Sequence, residues 1–127
     1  VQGWIKLHRK LIEADIYTMQ PLYSRVFERL IIEANNTNRE IPYKKIKKLI
    51  KRGERLTSLS QIAEWVGWYE RGIFRTPNKK TISNILNWLI DNTMIEIYNK
   101  GNVRETHYNI VNYNVYQVKK TTKVTPK

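Results

Sequence analysis

Apolar residues along this chain fall into short periodic runs separated by polar breaks. The clearest is Tyr23 to Asn35, where Val26, Phe27, Leu30, Ile31 and Ala34 recur at helical spacing and Arg25, Glu28, Arg29 and Glu33 fall on or beside the other face. Ser24 is the expected N-cap, and the cluster Asn35, Asn36, Thr37, Asn38 ends the helix as a polar loop. A second, shorter helix is predicted over Ser58 to Gly67. Ser58 caps it, Leu59, Ile62, Ala63 and Val66 form its buried stripe, and Gly67 suits the left-handed position past its end. A third runs from Pro77 to Asn92 and buries Ile82, Ile85, Leu86, Leu89 and Ile90. Thr76 is its expected cap, with Pro77 at the first helical position.

Alternation replaces helical spacing toward the C-terminus. Met94 to Tyr98 and Tyr108 to Val111 read as strands, and Asn99-Lys100-Gly101-Asn102 between them has turn chemistry, so a hairpin is expected. The opening stretch, Gly3 to Tyr17, reads as a short strand or turn followed by a helical turn. Pro21 is then expected to break any continuous helix. Tyr43 to Arg55 sets Lys44, Lys45, Lys47, Lys48, Lys51, Arg52 and Arg55 around a narrow stripe of Ile46, Leu49 and Ile50. That pattern fits a short helix or a strand entering a turn at Gly53, and its surface is either a solvated face or a phosphate-facing patch. Trp68 to Thr76 is read as a loop, longer than the roughly 3–4 residues of a minimal helix-turn-helix turn. Lys119 to Lys127 lacks a packing stripe and reads as a basic linker, leaving residues 1–118 as one domain.

Composition narrows the class. In 127 residues there are 23 Lys and Arg against 11 Asp and Glu, a net charge of +12, with 41% hydrophobic residues. That is enough apolar material for a packed core and too much for a disordered basic tail. No run is long enough to span a bilayer. Val1 is not an initiator Met and no signal-peptide pattern follows it, which predicts a fragment of a longer protein. The absence of cysteine removes disulfides and thiolate chemistry and fits a reducing compartment. A polyanion is the economical partner for such an excess of positive charge, since neutralising phosphates releases condensed counterions. Anionic lipid is the competing polyanion, and solubility alone the bland reading.

Catalysis finds no foothold. His8 and His107 are far apart, Asp15 and Asp91 are the only aspartates, and Gly53, Gly67, Gly72 and Gly101 are isolated rather than forming a phosphate loop. No catalytic residue, metal or cofactor is expected. The order helix, strand-like segment, helix, loop, helix, hairpin is instead that of a winged helix-turn-helix, an α+β and mainly helical fold with a C-terminal β-hairpin wing. Its recognition helix would be Pro77 to Asn92, whose exposed side shows Asn78, Lys79, Lys80, Ser83, Asn84 and Asn87 and whose only acid is Asp91 at the far end. Lys79 and Lys80 are assigned to phosphates or guanine edges, and Ser83, Asn84 and Asn87 to base edges, Asn being able to pair bidentately with adenine. Lys100, Asn102 and Arg104 belong to the wing, and Arg71 and Arg75 to backbone phosphates. Trp65, Trp68, Tyr69 and Trp88 have two readings, base stacking in a single-strand groove or core and loop anchoring; the second is the commoner for such positions.

With these residues in place, the chain resembles the N-terminal domain of phage-type replication initiators (replisome organisers), related to that of the primosomal protein DnaD. The resemblance is carried by GWIKLHRKLIE at Gly3 to Glu13, SRVFERLIIEAN at Ser24 to Asn35 and KRGERLTSLSQIAEWVGWYERG at Lys51 to Gly72. PNKKTISNILNWLIDNTMIEI at Pro77 to Ile97 and NYNVYQ at Asn112 to Gln117 complete it. It implies a winged helix that binds double-stranded DNA at origin repeats and nucleates loading of the host replicative helicase, in the cytoplasm of a bacterial host cell. It further implies self-association, as a homodimer or higher oligomer. Contact with the helicase or its loader would fall to a DnaD-like C-terminal region beyond the basic linker. The Lys44 to Lys51 stretch departs from the family pattern and is expected to add non-specific DNA affinity. Two other roles suit the same arrangement: a winged-helix transcription repressor, and a primosomal oligomerisation or protein-interaction domain with weak DNA affinity.

Overall fold

The computed structural model describes residues 15–43, 46–98 and 105–116. The fold is α+β, with four α-helices among the described residues and three antiparallel sheets. A short helix, α1 (Asp15–Thr18), leads into α2 (Pro21–Glu33). Helix is broken ahead of Pro21, as expected, and Pro21 opens α2 at a position where the missing amide costs nothing and the fixed φ is already helical. Ser24 is therefore inside the first turn, its hydroxyl donating to the Pro21 carbonyl at 3.2 Å, and the N-cap is Gln20, which makes no side-chain cap bond.

After α2 the chain makes an excursion that periodicity did not disclose. β1 (Arg39–Tyr43) and β2 (Ile46–Ile50) pair antiparallel, with Arg39 opposite Ile50 and Ile41 opposite Lys48. The excursion is closed at its base. The Gly53 amide donates to the Asn35 carbonyl at 2.7 Å and the Asn35 amide to the Glu54 carbonyl at 3.0 Å. Of the two structures offered by Tyr43 to Arg55, the strand and the turn are the ones formed, with Gly53 at φ +88°, a conformation glycine adopts without strain.

β3 (Glu54–Thr57) then pairs with β7 (Thr106–Ile110), which also pairs with β6 (Ile95–Ile97), so a three-stranded sheet has the order β3-β7-β6. Ile95 faces Ile110 across one ladder and Arg55 faces Tyr108 across the other. Between β3 and β6 come α3 (Leu59–Trp65), the hairpin β4 (Trp68–Glu70) and β5 (Ile73–Arg75), and α4 (Lys79–Asp91). The stretch from Trp68 to Thr76 is thus a hairpin for most of its length, not a loop. A 3-10 turn, Tyr113–Tyr116, closes the described chain and sets the Tyr116 ring edge-on to Phe27 at 5.9 Å.

One core joins these parts. Val26, Phe27, Leu30 and Ile31 of α2 meet Ile62, Ala63 and Val66 of α3, and Ile82, Ile85, Leu86 and Leu89 of α4. Ile95, Tyr108 and Ile110 of the sheet cover one side. Ile90, expected inside, is only half-buried. Among the described residues no helix is long and apolar enough to cross a membrane.

Candidate nucleic-acid interface

Helix α4 is built by its own sequence. Asn78, in an extended conformation, caps it by accepting the Thr81 amide at 2.8 Å. The expected cap, Thr76, is displaced by two residues because Asn is the stronger capping side chain and its carbonyl oxygen reaches the third free amide. Pro77 accordingly lies outside the helix. Ile82, Ile85, Leu86 and Leu89, three and four residues apart, hold one face in the core. The opposite face therefore carries Lys80, Asn84, Asn87 and Asp91, all exposed, with Lys79 exposed beside them and Ser83 half-buried at the margin.

The side chains of Lys79, Lys80, Asn84 and Asn87 make no hydrogen bond or ion pair with another described residue. Each Asn amide offers a donor pair and an acceptor, and each Lys a mobile cation, to whatever approaches this face. Asn78 differs: its oxygen is committed to the cap, which leaves its amide nitrogen alone to face outward. Arg75 is also engaged, its Nε 3.5 Å from the Glu70 carboxylate across the β4–β5 ladder. Arg71 is exposed at the tip of that hairpin. Lys100, Asn102 and Arg104 lie outside the described residues.

Several other cations are structural. Arg25 donates from Nε to the Val66 carbonyl at 3.1 Å and from Nη2 to the Gly67 carbonyl at 2.9 Å, while Arg29 Nη1 reaches the Trp65 carbonyl at 3.1 Å. Two guanidiniums from α2 thereby satisfy the free carbonyls at the C-terminal end of α3, where the helix dipole also favours positive charge. These arginines sit opposite the α2 core stripe in sequence, and while still partly exposed they bridge α2 to the end of α3. Glu33, expected on or beside the face opposite the core stripe, is buried and lies 2.8 Å from Arg29 and 3.5 Å from Arg55. Trp65 lies under both of these guanidiniums, at 5.8 and 5.4 Å, and Trp88 meets Tyr23 edge-on at 5.6 Å, so both indoles are anchors. Arg52 lies over the Tyr113 ring at 5.3 Å.

Where the sheet meets the base of the β6–β7 hairpin the field is different. His107 Nε2 and the Glu54 carboxylate share a hydrogen bond of 2.9 Å, and Lys51 donates its amide to the same oxygen at 3.1 Å. Tyr98 packs edge-on to the His107 ring. Partial burial, and then the carboxylates of Glu54 and Glu96, push the Tyr98 phenol above its ordinary value. Among the described residues no group of three or more His, Asp or Glu is placed to hold a metal ion.

Sequence reasoning missed the β4–β5 hairpin, although a signal was present: two short apolar and aromatic runs flank Arg71-Gly72, a two-residue connection with glycine at its second position. It also placed Gly67 in the left-handed region, whereas positive φ among the described glycines is confined to Gly53 and Gly72. Gly67 is needed for space instead, because a Cβ there would sit 2.8 Å from the Arg75 carbonyl oxygen and clash with the edge of the Phe74 ring. Comparison with protein-family models, curated proteins and solved structures returns no significant match.

Proposed function

We propose that the chain is a winged-helix module that binds duplex DNA through the outer face of α4, as the origin-binding N-terminal part of a replication initiator. The observation carrying this reading is the strip Lys80, Asn84 and Asn87, exposed and unpartnered among the described residues on a helix whose opposite face is locked into the core. An α-helix fits the roughly 12 Å-wide major groove, where amide side chains read adenine and ammonium groups reach guanine or phosphate. The order β3, α3, α4, β6, β7, with β7 between its two partners, supports the winged-helix assignment. In that arrangement the β6–β7 hairpin is the wing. Charge supports a polyanionic partner, since the chain carries +12.

The test is a gel shift against fragments of the parent replicon with random competitor at two salt concentrations. Asn84→Ala combined with Asn87→Ala should lower the ratio of specific to random binding by at least tenfold, since each bidentate amide–base pair is worth about 1–3 kcal/mol of discrimination. An unchanged ratio removes α4 as the reading element. Footprints confined to a promoter, with none in the replicon's origin, would give the same fold a repressor's role.

A further inference from the structure

The hairpin β4–β5 is short and regular, and its residues are exposed. Its register sets Trp68 opposite Arg75, Tyr69 opposite Phe74 and Glu70 opposite Ile73. All six residues are exposed, among them four large apolar side chains: Tyr69 75%, Ile73 56%, Phe74 47% and Trp68 41%. Alternation divides them between two faces. Tyr69 and Phe74 share one, their ring centroids 5.1 Å apart, while Trp68, Ile73 and the Glu70–Arg75 pair share the other.

The hairpin is also firmly oriented. Phe74 folds back over Gly67, whose carbonyl is held by Arg25, so the ring of Tyr69 is presented outward from a fixed base. At the apex Arg71 and Gly72 both have positive φ, +53° and +82°, the geometry of a tight two-residue turn. Asn or Gly adopts the first of these positions at less cost than Arg, so the apex holds a cation where a smaller residue would be more relaxed.

We infer that the β4–β5 hairpin is a stacking platform for single-stranded nucleic acid, with Tyr69 offering its ring face to an unpaired base and Arg71 contacting the adjoining phosphate. This rests on the nucleic-acid reading of α4 and adds a second substrate form to it. Exposed rings beside cations are the pairing that unpaired strands require, because every base has a π-face and every linkage a charge. Charge selects this occupant over a second copy of the chain. A two-fold contact through the hairpin tip would bring Arg71 toward its own copy on two chains of +12 each, whereas a phosphate backbone neutralises it. Lys79 and Lys80, exposed and without a partner among the described residues, begin α4 a few residues beyond β5.

The 127-residue chain is titrated by fluorescence anisotropy against labelled oligo(dT) of about 15 nucleotides and against the parent-replicon duplex. Tyr69→Ala should weaken oligo(dT) binding about tenfold and duplex binding less than about twofold, on the scale of a single base–aromatic stack. Tyr69→Trp should restore oligo(dT) binding and Tyr69→Leu should not, because leucine keeps apolar area without a π-face. Matching circular dichroism and melting temperatures show that the variants are folded. Equal oligo(dT) affinity for Tyr69→Ala and the parent chain overturns the inference. So does sedimentation showing a dimer that Tyr69→Ala dissociates, which would assign the surface to a second copy. A parent chain that binds duplex but not oligo(dT) defeats this inference alone; one that binds oligo(dT) but not duplex defeats the α4 reading alone; one that binds neither defeats both.

Discussion

Tyr108 is fully buried in the central strand of the sheet, and its hydroxyl donates to the Leu30 carbonyl of α2 at 2.8 Å. Tyr108→Phe removes that bond but leaves the Leu30 carbonyl with its helical partner, the Ala34 amide at 3.1 Å. The expected cost is about 1 kcal/mol, read from the urea midpoint at unchanged slope. Burial holds the Tyr108 phenol neutral far above its ordinary value of 10.0, so the unfolded chain ionises first as pH rises. The group's contribution is whole below pH 10 and falls as pH climbs from there toward the folded value; stability should decline less steeply in Tyr108→Phe over that range. Thr93 is the other informative residue. It ends α4 at φ +56°, with its amide on the Ile90 carbonyl and the Met94 amide on the Leu89 carbonyl, a motif that normally employs glycine. Relief of roughly 1–2 kcal/mol of left-handed strain against roughly 0.5–1 kcal/mol for ordering a glycine gives Thr93→Gly a net gain of roughly 0.5–1 kcal/mol, seen as a higher melting temperature. No glycine in the sequence marks this helix end. The cap at Ser58, which accepts the Gln61 amide, was legible because its signal is wholly local.

At the scale of elements, α3 is only seven residues long, too short to persist alone. Its position depends on a core face of Ile62, Ala63 and Val66 and on Arg25 and Arg29 grasping its last carbonyls. Gly67 connects that end to the β4–β5 hairpin. Gly67→Ala would thrust a methyl against the Arg75 carbonyl, which as backbone cannot swing aside, and should cost about 1–3 kcal/mol. The measurement is thermal unfolding together with amide exchange, which should speed up first in β4 and β5. An unaltered melting curve would mean that the hairpin is not braced at this point. The helical stripes of α2, α3 and α4 were readable from spacing, since each helix satisfies its backbone within itself. β2 was legible only as one of two alternatives, and β1, β4 and β5 were not read, since a strand of three to five residues acquires meaning only from the partner opposite it.

For the whole molecule, the charge of +12 divides into cations with structural duties and cations without. Arg25, Arg29 and Arg55 hold helix ends and Glu33, while Lys79 and Lys80 have no partner among the described residues. If α4 lies in the groove as proposed, Lys80→Ala should weaken specific and random duplexes alike and reduce the salt slope by about one. Loss of discrimination with an unchanged slope would mean that Lys80 reads a base. Composition alone established the excess of charge and the presence of a core, and periodicity established which helix faces enter that core, because these properties belong to residues and their near neighbours. Tertiary structure decided the rest. It chose which arginines are tied down and turned a supposed loop into an aromatic hairpin. It also made Gly67 a site of close approach rather than of unusual φ. In each case the deciding atoms come from segments that the chain brings together only on folding, and no local pattern encodes such a meeting.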